Sequence, residues 1–205
     1  MNVSRASITR LSNYRRVIFK LKSLGFKRVF SDNLADALGI SSVQVRKDFS
    51  EFGLTGNKKG GYQISEIITD LDRILGKDML RKVVVVGCGR MGKTLMGYSG
   101  FSGEGIKVVA GFDADPSNID PEGRIPIMDI LEMPEYICKE KIQIAILTVP
   151  EHAAPTTIEQ LKNMGIKGIL NFAPVQAHSN PNCEIRNINI ALELENMFYF
   201  VNAPA

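Results

Sequence analysis

The stretch KVVVVGCGRMG, Lys82–Gly92, decides how this chain is read. Lys82–Val86 is a near-continuous β-branched apolar run, the pattern of a strand buried on both faces of a parallel sheet. Gly87-Cys88-Gly89-Arg90-Met91-Gly92 follows without a break and fits G-x-G-x-x-G, and a helical pattern then covers Met91–Ser99. In such a strand–turn–helix the first glycine makes the tight turn, the second lets the backbone approach a pyrophosphate, and the third lets helix and strand pack closely. Unpaired N–H groups at the helix start attract the anion. The flanking strand and helix raise the motif above a lone glycine pattern, so the stretch predicts a dinucleotide site.

Toward the C-terminus, Ile106–Phe112 reads as a second strand ending at Asp113, where dinucleotide folds place an acid on the adenosine ribose. Gly87 and Asp113 lie 26 positions apart, against the usual ~20. The glycine-rich insert Gly97–Gly105 accounts for the excess. Asp113 repels a 2′-phosphate and no arginine follows at 114 or 115, which favours NAD(H) over NADP(H). A plain turn role before Asp115-Pro116 is the alternative.

The pattern goes on alternating: a short strand at Ile125–Ile127, a helix over Ile130–Glu140 delayed by Pro134, a strand over Gln143–Val149, a helix over Ala153–Met164, a strand over Lys167–Phe172 and an edge strand over Glu184–Ile190. Alternating β and α predicts an α/β fold with a doubly wound parallel sheet, a Rossmann domain. Thr148, Val149 and Pro150, with Asn171, Phe172, Ala173 and Pro174, follow strand ends and should line the nicotinamide side. The last segment, ALELENMFYFV at Ala191–Val201, is apolar around nearly its whole circumference. It therefore needs enclosure, by a second subunit or by its own domain.

Working back toward the N-terminus, the charge changes sign. Net charge is +3 overall, but residues 1–80 hold 14 Lys/Arg against 8 Asp/Glu and residues 81–205 hold 11 against 14. A basic front module implies a polyanionic partner. Ile8–Leu24 reads as a helix whose shared face is Leu11, Tyr14, Val17, Ile18 and Leu21. Ser31 can cap a short helix bearing Leu34, Ala35 and Leu38. Gly39 supplies a turn, and Ser41 or Ser42 caps a further helix, which is helix-turn-helix spacing. On that last helix Val45, Phe49 and Phe52 face inward. Ser42, Val43, Gln44, Arg46, Lys47 and Ser50 are left for a major groove, with Gln44 suited to adenine and Val43 to a thymine methyl. In Gly53–Ile64, two short extended runs with a Gly/Asn/Lys tip read as a hairpin wing that brings Lys58, Lys59, Gly60 and Tyr62 to the DNA. An ordinary αα-hairpin and a solvated hairpin are the bland alternatives. Ile64–Leu75 is an amphipathic helix, and Gly76–Asp78 a junction. The expected organisation is 1–78 for a winged helix-turn-helix domain, 79–190 for the nucleotide domain and 191–205 for a dimerisation helix.

Cys88, Cys138 and Cys183 are odd in number and widely spaced, which predicts a reducing compartment and no metal site. With no leader pattern and no long apolar run, a cytoplasmic chain with no membrane partner is expected. Catalytic equipment is missing: there are two histidines, His152 and His178, with no evident clamp for a substrate and no Tyr-x-x-x-Lys pair.

Taken together, Ser42–Ser50 with Phe52-Gly53, Gly60-Gly61-Tyr62, the glycine motif, Phe112–Pro116, Ile146–Pro150 and Gly168–Pro174 resemble the Rex family of redox-sensing transcriptional repressors of Gram-positive and related bacteria. The resemblance covers essentially the whole chain. It implies a homodimer on an inverted-repeat operator, DNA binding with NAD⁺ and release by NADH, no enzymatic activity, and a terminal helix exchanged between subunits. It also implies a switch in which Arg16 and Tyr98 act with a residue just before the terminal helix. That place holds Asn189 here where the family has Asp, and asparagine forms no charged pair with Arg16. A small NAD-dependent oxidoreductase with an accessory DNA-binding domain, or a repressor of CoA-like ligand, is the competing reading.

Overall fold

The computed structural model describes residues 4–57 and 60–202. The chain divides into two compact units, Met1–Met79 and Leu80–Ala205.

In the first unit, α1 (Arg5–Ser23) starts at Ser4, whose hydroxyl accepts from the Ser7 N–H at 3.1 Å. It buries Leu11, Tyr14 and Ile18, three residues at helical spacing. Gly25 follows at φ +86°, a backbone angle that L side chains rarely adopt. Strand β1 (Arg28–Val29) leads into α2 (Ser31–Leu38). Ser31 does not cap α2 as expected. Asn33 does, accepting from the Phe30 N–H at 3.0 Å, and the Ser31 hydroxyl accepts from Arg46 instead. Gly39 ends α2 in the left-handed conformation, and Ser41 then caps α3 (Ser42–Glu51) by accepting from the Gln44 N–H.

The wing differs from the expected hairpin. Its first arm is not a strand: β2 (Tyr62–Gln63) pairs antiparallel with β1, far back in sequence, and the loop is closed by a bridge between Asn57 and Gly61. Helix α4 (Ile64–Ile74) covers the core through Ile64, Ile67, Ile68 and Leu71, and Arg15 of α1 bonds Asp72 of α4. Tyr14, Phe49 and Tyr62 meet edge to face with ring centroids 5.4 and 4.9 Å apart, a favoured aromatic geometry.

The second unit is a six-stranded, wholly parallel sheet. In chain order its elements are β3 (Arg81–Val86), α5 (Arg90–Met96), β4 (Ile106–Asp113), β5 (Ile127–Asp129), α6 (Met133–Glu140), β6 (Ile144–Leu147), α7 (Ala154–Asn163), β7 (Gly168–Asn171), β8 (Glu184–Asn187) and α8 (Ile190–Asn202). The strand order β5-β4-β3-β6-β7-β8 is that of the dinucleotide-binding doubly wound sheet. The apolar run of β3 explains its central place. Val84 and Val86 enter the core beside Leu147, Ile158 and Leu161, while Val83 and Val85 enter the opposite one beside Met96 and Val108. Pro134 sits in the first turn of α6, and a 3₁₀ turn over Ile130–Glu132 precedes it, which is the delay the proline predicted. The glycine-rich insert is a 3₁₀ turn over Ser99–Glu104.

Helix α8 is exposed along its whole described length: Phe198, Phe200 and Val201 are 66, 76 and 78% exposed. Burial within its own unit, the alternative weighed for this segment, is not what the chain adopts. Among the described residues no helix is long and apolar enough to cross a membrane, and no cluster of three His, Cys, Asp or Glu could hold a metal.

Candidate functional site

The central crossover is built where β3 ends. Gly87 has φ +88°, and a Cβ there would lie 2.8 Å from the Thr148 backbone at the end of β6. The Thr148 hydroxyl donates to the Gly87 carbonyl at 2.5 Å, and the Thr148 N–H donates to Val86 at 2.8 Å. Gly92 is buried in α5, and a Cβ there would sit on the Gly87 carbonyl oxygen. Around Gly89, by contrast, a Cβ would meet nothing within 4 Å. The first and third glycines are thus needed by the protein itself, and the second faces open space.

Asp113 closes the other side. Its carboxylate accepts from the Cys88 N–H at 2.6 Å, the Asp115 N–H at 2.8 Å and the Asn118 amide at 3.2 Å. Lys93 in turn donates to Asn118 at 3.0 Å. Asn118 and Lys93 were missed by sequence reasoning. Lys93 lies one helical turn beyond Gly89, a spacing that could have flagged it. Asn118 follows a proline turn, a place with no pattern.

A cleft of about 590 Å³ opens here, lined by Gly87, Gly89, Asp113, Thr148, Val149 and Pro150, and also by Phe172 and Pro174. A second hollow of about 360 Å³, lined by Met91, Ala173 and Asn189 among others, shares Phe172 and Pro174 with it. The larger volume falls within the ~300–1,000 Å³ of small-molecule and cofactor sites. His152, also missed as a site residue, lines the larger cleft.

Other expected site residues are placed differently. Arg90 is exposed at the start of α5. Asn171 is fully buried and lines neither hollow: its amide nitrogen donates to Val175 and Asn187, and its oxygen accepts from Ala173. It staples the loops that present Phe172–Pro174. Cys88 turns its side chain into the core, against the Phe112 carbonyl. Burial and the neighbouring Asp113 push its thiol up to about 12, so little reactive thiolate forms near neutrality. Cys183 is also buried and Cys138 exposed. A thiol reagent at pH 8 should therefore label Cys138 in the native chain and reach Cys88 only on unfolding, as mass spectrometry of labelled peptides would read.

On the first unit, α3 presents Val43, Arg46, Lys47 and Ser50 to solvent, with Ser42 and Gln44 half-buried. Arg46 lies against Ser31 at 3.1 Å. Gln44 donates to Asp48, a fully buried carboxylate that also takes two hydrogen bonds from Arg10 and one from Tyr14. In the wing the Gly60 carbonyl accepts from Arg28 at 2.7 Å. The Tyr62 ring packs on Phe49 and over Gly56, so it ties the wing to α3. Lys58 and Lys59 lie outside the described residues. Of the expected switch residues, Arg16 is exposed on α1, Tyr98 is exposed with its ring against Phe101, and Asn189 caps α8 by accepting from the Leu192 N–H at 3.0 Å.

A helix-turn-helix unit with a small wing, followed by a doubly wound sheet with a glycine turn and an acid at the second strand end, defines a nucleotide-domain transcription regulator. The family models agree: the "CoA binding domain" model matches residues 78–175 and the "Putative DNA-binding protein N-terminus" model residues 2–50. The redox-sensing transcriptional repressor Rex of Oenococcus oeni is 35% identical over 98% of this chain and 93% of its own. That of Listeria monocytogenes is 34% identical over 99% and 95%. The chain belongs to the Rex family of redox-sensing transcriptional repressors. Among solved structures, RSP, a Rex-family repressor, in complex with β-NAD⁺ and operator DNA aligns with TM-score 0.92 at 30% identity, over 98% of this chain and 94% of the other. RSP in complex with β-NADH aligns with TM-score 0.84, over 98% and 95%.

Proposed function

We propose that this chain is a cytoplasmic repressor that binds operator DNA as a homodimer, holds NAD(H) in the cleft of its second unit, and leaves the DNA when NADH occupies that cleft. One observation carries the reading: a glycine turn open only at Gly89, beside the fixed Asp113, lies in the same chain as an exposed recognition helix. The residues fit the coenzyme. Gly87–Gly92 would cradle a pyrophosphate, with the Cys88 N–H holding Asp113 beside it. Asp113 would take ribose hydroxyls. Thr148–Pro150, Met91 and Phe172–Pro174 would face the nicotinamide, with Asn171 shaping their loop. Bound, NAD(H) supplies a ring whose charge differs between its two oxidation states.

Segments 1–78, 79–190 and 191–205 then act as reader, sensor and dimer helix. Ser42, Val43, Gln44, Arg46, Lys47 and Ser50 meet the groove, with Lys58, Lys59, Gly60 and Tyr62 in or behind the wing. Arg16, Tyr98 and Asn189 take part in switching. Dimerisation is favoured because α8 exposes Leu192, Leu194, Met197, Phe198, Tyr199, Phe200 and Val201 together, an apolar surface that needs a cover. Two recognition helices must stand ~34 Å apart to meet successive turns of DNA. A ligand moves that spacing only by binding one state more tightly. Turnover is not part of the proposal.

The test is titration of a labelled duplex complex with NADH, NAD⁺, NADPH and CoA. NADH should release the DNA at roughly ten times lower concentration than NADPH, because a like charge beside Asp113 costs on the order of 1–4 kcal/mol. Release by CoA and not by NADH would replace the coenzyme with the ligand class that the matching family model names. Phe198→Glu with Phe200→Glu should shift the sedimenting species from dimer to monomer, and an unchanged dimer would remove α8 from the interface.

A further inference from the structure

Asp48 lies on the helix that turns Val43 and Lys47 outward, yet it is wholly buried. Arg10 grips it through Nε and Nη2 at 2.6 and 2.7 Å, Tyr14 donates to it at 2.7 Å, and Gln44 Nε2 donates to it at 2.7 Å. An ionised carboxylate only accepts. The Gln44 amide therefore has one orientation, because turning it over would set Oε1 against the Asp48 oxygens. One N–H of Gln44 is spent on Asp48, and Oε1 and the second N–H remain. Gln44 sits in the first turn of α3, where recognition helices meet base edges. An acceptor beside a donor complements adenine N6 and N7, whereas guanine offers two acceptors, O6 and N7.

We propose that Asp48 is a positioning residue that makes Gln44 read adenine and reject guanine. The inference rests on the DNA-binding reading above. A glutamine free to flip could turn both N–H groups toward guanine, but Gln44, held by Asp48, puts Oε1 against guanine O6. Arg10 clasps the same carboxylate from α1, so the first helix shares in reading a base.

The experiment is selection of duplexes from a randomised DNA pool by the unaltered chain, Gln44→Ala and Asp48→Asn. The unaltered chain should prefer A·T over G·C roughly tenfold at one position of each half-site. Gln44→Ala should flatten that position alone. Asp48→Asn should admit G·C there and leave the other positions as they were. In the free, unaltered chain the Gln44 side-chain amide should be as rigid as the backbone, with an order parameter near ~0.85. That measurement and the Gln44→Ala selection decide the matter should Asp48→Asn fail to fold. Unchanged preferences in Gln44→Ala, an even loss across all positions in Asp48→Asn, or a mobile Gln44 amide would each overturn the proposal. Enrichment of no sequence by the unaltered chain would instead defeat the DNA-binding reading, and this inference with it.

Discussion

Gly92→Ala is expected to unfold the second unit at markedly lower temperature, while Gly89→Ala leaves its stability unchanged and weakens coenzyme binding about a hundredfold. The two positions are three apart in one motif but meet different surroundings. At Gly92 the added methyl would fall on the Gly87 carbonyl and 3.0 Å from the Thr148 hydroxyl oxygen. The Thr148 hydroxyl is also the group that donates to Gly87, so the methyl forces apart the join between β3 and β6. Overpacking of this kind costs on the order of 3 kcal/mol, or roughly 6–12 °C in Tm for a chain of this size. At Gly89 the methyl meets no atom within 4 Å and φ is −66°. Stability should stay within about 0.5 kcal/mol. NADH affinity should fall about a hundredfold, or ~2.7 kcal/mol, because the methyl occupies the space a pyrophosphate needs. Calorimetric melting and NADH fluorescence titration measure the two effects. Equal NADH affinity in Gly89→Ala would remove the motif from the site.

Asp48→Ala is expected to cost the first unit about 3–5 kcal/mol, since it leaves the Arg10 guanidinium and the Tyr14 hydroxyl without their shared acceptor. A unit of 79 residues has only about 4–12 kcal/mol in total, so the variant should stand near unfolding at 37 °C. Acidity should mimic it. Burial alone would raise the Asp48 carboxyl, but the hydrogen bonds from Arg10, Tyr14 and Gln44 hold it below its ordinary value of 3.8. A carboxylate held low in the folded state adds stability at every pH above the unfolded value and loses it as pH falls through the folded one. Melting of the first unit should therefore show no Asp48 contribution to pH dependence between pH 5 and 8, and a steep loss below about pH 4. Asp48→Asn should flatten that acid limb. A limb of equal slope in the variant would place the titrating group elsewhere.

How legible these features were depended on whether their signal was contiguous. Val83–Val86, the glycines and Asp113 each announce themselves by a short local pattern, and the alternation points to a doubly wound parallel sheet, while the strand order rests on long-range pairings that no local pattern carries. The Asp48 cluster had no such signal: Arg10 lies 38 positions away, and an acid between Lys47 and Phe49 reads as surface charge. The wing was misjudged because β1 is two residues long and pairs across two helices. Tyr62 and Asn171 read as ligand contacts because a polar tip at a loop or strand end looks the same in sequence whether it faces a ligand or a neighbouring loop. The exposed apolar helix was legible in composition, since no amphipathic arrangement of Leu192–Val201 exists.

Cys88 determines what kind of memory the glycine turn has. A sensor that works through sulfur is altered by meeting an oxidant and stays altered until a reductant repairs it. The only sulfhydryl in this turn lies beneath the backbone with its proton firmly held. A brief burst of peroxide is therefore expected to leave Cys88 unmodified, as mass spectrometry of its peptide would read, and under the proposed function exchange of one dissolved molecule for another resets the device.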